Sequence, residues 1–226
     1  MEKSSESFRI LDIKLLLIGT PHSGRKVFAN KWSINIATEN YKSLISTDCY
    51  FKILKIDGYF LRIQVSEFFG RNINDTSTTK IFAKDSLGAI FISDATNPED
   101  LEIIQKWKHN LDEDASFING TPLPSILIEN KIELLPEEER MNDIRLKEFA
   151  RENKFDGAFR VSSVNGVNVK ESMDFLLRVI LNKIEAIGWE SFFAMNKNLY
   201  FITMRRPLSP INSVVVKYIH IFTKVI

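Results

Sequence analysis

The sequence predicts an α/β fold built on a mostly parallel sheet, and three observations carry that prediction. Apolar strand-like runs alternate with helix-compatible segments over residues 13–187. A glycine-bracketed turn, Gly19 to Gly24, joins the first apolar run to a helical one. One Asp-Gly pair, Asp57-Gly58, sits between two β-rich runs and marks a single antiparallel hairpin. Together they imply a six-stranded sheet with helices on both faces and five principal helices.

Taken in order, Ile13–Ile18 reads as a buried strand and residues 24–36 as a helix. Phe51–Ile56 and Tyr59–Val65 form the hairpin, and Ala89–Ile92 is a short apolar strand. Beyond Asn97-Pro98, Leu101, Ile104, Trp107 and Leu111 recur at helical spacing. Pro124 precedes the strand Ser125–Ile128. Residues 137–153 are charged and helix-prone, and Ala158–Ser162 is strand-like. Met173, Leu176, Leu177, Ile180, Ile184 and Ile187 form one helical stripe, which Gly188 stops. A polar extension (1–12), a domain (13–187) and an apolar, β-prone C-terminal extension (188–226) are the expected divisions.

Composition removes several function classes. Thirty basic and 29 acidic side chains leave a net charge of +1, so no bulk field draws the chain to nucleic acid or an anionic membrane. One cysteine, Cys49, excludes an internal disulfide and a four-cysteine metal site, and fits a reducing compartment. The first nine residues, MEKSSESFR, are polar and carry acids, unlike a signal or transit peptide. No apolar run reaches the ~18 residues of a membrane span. His22, His109 and His220 are scattered and suggest neither a metal site nor a triad.

The turn at 19–26, GTPHSGRK, has the spacing of a phosphate-binding loop, with backbone N–H groups gathered at a helix N-terminus. After Gly24 that pattern requires Lys, which reaches phosphate, and Ser or Thr, whose hydroxyl ligates Mg²⁺. Arg25 and Lys26 stand there instead. Arg is bulkier and planar and does not replace Lys freely, and Lys26 has no oxygen for a metal. Pro21 also removes one N–H from the loop. Two readings of the paired cations stay open: together they hold a diphosphate without metal, or Lys26 points to solvent, since adjacent cations oppose the helix dipole.

In this order of elements, residues 13–187 resemble the Rab branch of the Ras-like small GTPases, and the subgroup serving lysosome-related organelles in particular. Residues 106–131 (KWKHNLDEDASFINGTPLPSILIENK) and 155–169 (FDGAFRVSSVNGVNV) are similar to that subgroup's corresponding segments. The resemblance implies a base site at Asn130, Lys131 and Glu133, where the family has Asn-Lys-x-Asp, and at Ser162 and Ser163, where it has Ser-Ala-Lys. Val164 stands in place of that lysine, and the Ser163 N–H is expected to meet the base oxygen. It also implies a phosphate site at Gly19, Gly24, Arg25 and Lys26 from which several groups are missing. His22 replaces a permissive glycine, and Leu44 the switch-one threonine. Glu67 replaces the aspartate of Asp-x-x-Gly (Gly70 is retained), and Arg71 the glutamine that orients the attacking water. Such a loop is expected to be distorted or closed.

The expected function is a Rab-like pseudo-GTPase, a protein-binding or scaffold module. GTP or GDP is held weakly if at all, Mg²⁺ is not expected, and no catalytic residue is assigned. The alternative is a conventional GTP-driven trafficking switch with slow hydrolysis. A protein partner or larger assembly is implied, with no nucleic acid and no direct lipid anchor, and a cytoplasmic location. Phe68 and Phe69 are either core or an exposed partner-binding pair. The apolar tail, 213–226, is expected to be covered by its own domain or by a partner.

Overall fold

The computed structural model describes residues 10–33, 49–56, 59–69, 76–140 and 142–195. Six strands occupy β1 (Ile10–Gly19), β2 (Cys49–Ile56), β3 (Tyr59–Phe69), β4 (Gly88–Asp94), β5 (Ser125–Asn130) and β6 (Gly157–Val161). Helices occupy α1 (Arg25–Trp32), α2 (Thr76–Ala83), α3 (Glu99–Asp114), α4 (Glu137–Arg140), α5 (Ile144–Glu152), α6 (Val169–Ile187) and α7 (Trp189–Met195).

The strands form one sheet in the order β2-β3-β1-β4-β5-β6. Only the β2–β3 pair is antiparallel, and β3–β1, β1–β4, β4–β5 and β5–β6 are parallel. Ile56 lies opposite Tyr59, so two residues connect the hairpin as the Asp-Gly signal requires. Asp57 and Gly58 themselves lie outside the described residues.

Sequence runs explain which strands are central. Leu15, Leu16, Leu17 and Ile18 are each 0–1% exposed, and successive strand residues point to opposite faces. Both faces of β1 are therefore covered, the burial expected of a parallel sheet flanked by helices. Ile90–Ile92 and Ile126–Ile128 are equally buried. On one face the stripe of α6 packs against β5 and β6, with Met173, Leu176, Leu177, Ile180 and Ile184 all buried.

Three local expectations need correction. Residues 137–153 do not form one helix. They divide into α4 and α5, with Asp143 as the cap residue of α5. Asn142 and Asp143 at the break are both unfavourable in helix interiors, although the Asp143 side chain makes no capping hydrogen bond. Residues 189–195, inside the extension read as β-prone, are helical: Gly188 (φ 85°) ends α6 and its N–H caps the Ile184 and Glu185 carbonyls. Trp189, Phe192 and Phe193 then meet at helical spacing, with Phe192 fully buried. Finally, five principal helices are expected, but no apolar periodicity places one at α2. Phe68 belongs to the core, 5.1 Å from the Phe82 ring of α2. The side chain of Phe69, residues 34–48 with Leu44, residues 70–75 with Gly70 and Arg71, and the tail 196–226 lie outside what is described.

Candidate functional site

The C-terminal ends of the parallel strands lie along one edge of the sheet, the edge at which open α/β sheets bind ligands. Gly19 ends β1, Asp94 ends β4, Asn130 ends β5, and Ser162 follows β6. Glu67 lies near the end of β3, in register with Leu17.

The loop from Gly19 to Gly24 turns through two left-handed residues. His22 (φ 71°) and Gly24 (φ 86°) both adopt the left-handed conformation. For His22 that conformation costs about 1 kcal/mol, which the surrounding contacts must offset. Gly24 cannot be replaced: a Cβ there would collide with the Asn130 side-chain nitrogen. Ser23 folds the turn by donating both its N–H (3.2 Å) and its hydroxyl (2.9 Å) to the Thr20 carbonyl. The result is a depression of about 240 Å³ lined by Thr20, His22, Gly24, Arg25, Lys26, Val27 and Glu67.

Three side chains from outside the loop hold it. The Thr20 hydroxyl donates to the buried carboxylate of Asp100 on α3. Asp100 also accepts the Asp94 N–H at 2.9 Å and the Asn97 amide at 2.9 Å. Asn130 donates its amide to the Ser23 carbonyl at 2.8 Å. Its own carbonyl oxygen accepts from the Ser163 N–H (3.0 Å) and hydroxyl (2.7 Å). The Ser163 N–H, expected to face a base oxygen, is therefore bonded to Asn130. Ser162 closes the adjacent turn by accepting from the Asn165 N–H at 3.1 Å.

The third tie is ionic. Arg25, the first residue of α1, donates Nε to Glu67 Oε1 at 2.8 Å and Nη1 to the Gly19 carbonyl. The pair is largely dry, with side-chain exposures of 12% and 1%. Lys26 next to it is exposed.

Lys131 and Glu133 follow β5. Lys131 (φ 70°) pairs with Asp94 at 2.7 Å. Burial would raise the Asp94 pKa, but bonds from Lys131 and Thr96 outweigh it and hold the carboxyl below its usual range. Glu133 sits in a single 3-10 turn, with Oε2 buried and without a hydrogen-bond partner. Val164 is 63% exposed. The nine residues picked from the sequence thus fall into two linked groups. Gly24, Arg25 and Lys26 line the depression, with Gly19 opening the loop beside it, while Asn130 and Ser163 brace the loop, with Ser162, Lys131 and Glu133 just beyond. Asp94 and Asp100 were missed. Asp94 could have been found as a carboxylate ending a parallel strand, whereas nothing in the sequence pairs Asp100 with Thr20.

Two buried carboxylate oxygens of the site, Glu67 Oε2 and Glu133 Oε2, have no hydrogen-bond partner. The orphaned Glu133 oxygen is an acceptor in want of a donor, as a base-reading carboxylate would be. The metal side offers no hydroxyl at position 26, and Glu67 is paired with Arg25. Among the described residues no group of three His, Cys, Asp or Glu side chains is placed to hold a metal.

Comparison with known proteins agrees with this geometry. The Ras family profile matches residues 14–182. Rab-32 of Sus scrofa is 30% identical over 103 residues, 46% of this chain and 45% of that protein. Rab-7L1 of Homo sapiens is 26% identical over 192 residues, 85% of this chain and 92% of that protein. Rab-32B of Dictyostelium discoideum is 27% identical over 168 residues, 74% and 64% of the two chains. The chain thus spans less than half the length of the pig and human Rab-32 proteins it matches. Guanine-nucleotide binding is the general property of the family so identified. The chain belongs to the Ras family, as a relative of the Rab-type small GTPases.

Proposed function

We propose that this protein is a Rab-like pseudo-GTPase: a protein-binding or scaffold module that binds guanine nucleotide weakly or not at all and hydrolyses little GTP. One observation carries the reading. The cation at the phosphate-lysine position, Arg25, is turned onto Glu67 and the Gly19 carbonyl, inside the protein. Phosphoryl transfer is accelerated almost wholly by positioning and by charge stabilisation of the transferring group. Here the first cation is spent on a carboxylate, and position 26 supplies no metal ligand. Each lost charge-assisted contact weakens triphosphate binding by ~1.5–3 kcal/mol, so several together lower affinity by orders of magnitude.

The base half keeps its function in this reading. Asn130 holds the loop, Lys131 flanks the base, and the Glu133 carboxylate accepts from it. Gly19, Gly24, Lys26, Ser162 and Ser163 frame the pocket. Residues 13–187 form the working domain, and the extension 188–226 engages either that domain or a partner. No helix among the described residues is long and apolar enough to cross a membrane. Organelle recruitment through a protein partner, from the cytoplasm, is part of the proposal.

A conventional switch is favoured by one feature: the left-handed turn at His22 and Gly24 is present beside a surface depression at the start of α1. Titration with GTP, GDP and ATP, each with Mg²⁺ and with EDTA, separates the two. Guanine-selective binding of micromolar or weaker affinity, indifferent to EDTA, supports the pseudo-GTPase. Tight Mg²⁺-dependent GTP binding with turnover supports the switch.

A further inference from the structure

We propose that the Arg25–Glu67 pair is an internal stopper of the depression, and that Glu67 is the residue that sets its affinity for anions. The inference rests on the weak-binding reading above and gives it a single controlling residue. Glu67 is 1% exposed, lines the depression, and has one oxygen, Oε2, buried without a hydrogen-bond partner. Its charge is offset by the Arg25 Nε at 2.8 Å. An anion entering the depression meets that carboxylate. If Arg25 turns to the anion, Glu67 is left as a buried, uncompensated charge, which is among the costliest states a side chain can adopt. Anion binding therefore carries the cost of breaking the pair.

The rest of the loop is secured independently. Thr20 is tied to Asp100, and Ser23 to Asn130 at 2.8 Å, neither bond involving Glu67. Neutralising Glu67 therefore leaves the loop in place and leaves the guanidinium on neutral acceptors such as the Gly19 carbonyl, for which an anion competes, at the N-terminus of α1, where anions are already favoured. The released site needs no metal, because its charge comes from Arg25 and Lys26. An isosteric amide at 67 retains an acceptor for Arg25 while removing the charge that holds it.

Inorganic pyrophosphate in EDTA is the probe, titrated calorimetrically against the full chain, Glu67→Gln, Arg25→Gln and the double variant, with thermal melts of all four. Glu67→Gln is expected to bind pyrophosphate at least about tenfold tighter than the parent, and Arg25→Gln and the double variant no tighter. In the melts, Arg25→Gln should lose most, since it strands the buried carboxylate, and the double variant should recover much of that loss. The thermal arm stands on Arg25→Gln whatever the yield of Glu67→Gln. Glu67→Gln binding no tighter than the parent, or Arg25→Gln melting with the parent, overturns the stopper. Tight Mg²⁺-dependent GTP binding by the parent chain overturns the pseudo-GTPase reading instead, so the two failures are distinguishable.

Discussion

Arg25 at the start of α1 and Glu67 near the end of β3 are 42 residues apart in sequence, yet their side chains meet at 2.8 Å beneath the phosphate-type loop. The sheet brings them together: β1 and β3 run parallel, with Leu17 opposite Glu67 and Gly19 opposite Phe69. A guanidinium leaving the first turn of α1 finds both the Gly19 carbonyl and the Glu67 carboxylate along the ends of these strands. From that relationship, and from the bracing around Asn130, four solution tests follow.

Replacing Asn130 with Ala should destabilise the fold by about 3 kcal/mol, because the Ser23 carbonyl and two Ser163 donors lose their partner in a buried place. Urea unfolding of the variant measures this directly. A loss near zero would show that the loop does not depend on Asn130.

Residual guanine binding should disappear in Lys131→Ala and in Glu133→Ala while the fold survives. Lys131 is anchored through its ion pair with Asp94, and Glu133 has a buried oxygen without a hydrogen-bond partner. Fluorescence titration with a labelled guanosine diphosphate, competed by unlabelled GDP and ATP, reads the effect. Undiminished binding in Glu133→Ala contradicts its assignment to the base.

Changing Arg25→Lys and Lys26→Thr together should tighten nucleotide binding and introduce dependence on Mg²⁺. The first change removes the bidentate grip on Glu67 and Gly19, and the second supplies a hydroxyl oxygen. Titrations with and without EDTA test it, and a double variant that stays insensitive to metal would count against the proposed cause of weak binding.

The Asp94–Lys131 pair fixes the sign of one pH effect. Burial pushes the Asp94 pKa up, but the bonds from Lys131 and Thr96 outweigh burial, so its folded-state pKa lies below the unfolded one. Its contribution to stability is present above the unfolded carboxylate range and is lost as pH falls through the folded value. Glu129 has the opposite sign, since burial raises its pKa against the pull of Arg160 and Arg145. Asp94→Asn should therefore be less stable than the parent at neutral pH, with the gap narrowing on acidification. A gap independent of pH would remove the pair from the account.

Much of the fold was legible because burial writes itself into composition. Leu15–Ile18, Ala89–Ile92 and Ser125–Ile128 are continuous apolar runs because both faces of the sheet are covered, and α6 shows its stripe because only one side is. The helix α2 was invisible: TSTTKIFA opens with Thr and Ser, which give no apolar periodicity, and it is held by packing such as Phe82 on Phe68. The aromatic turn of α7 was hidden for a similar reason, since Trp189, Phe192 and Phe193 read as β-prone until Gly188 is seen to end α6 and start a new turn. At the site, the spacing of Gly19 and Gly24 was enough to locate the loop. What Arg25 does there was not legible, because its partners come from another strand through register rather than from neighbouring sequence. Leu44 and Arg71, two of the departures behind the expected loss of chemistry, lie outside the described residues.

Nucleotide content of the freshly purified chain tests the central claim most directly. Acid extraction followed by chromatography of the supernatant counts moles of guanine nucleotide per mole of protein. A site whose leading cation is held by Glu67 should yield far less than one equivalent of GDP or GTP, with the same result whether purification includes Mg²⁺ or EDTA. A stoichiometric yield in Mg²⁺ that falls away in EDTA would contradict it, and would return the protein to the conventional switches of its family.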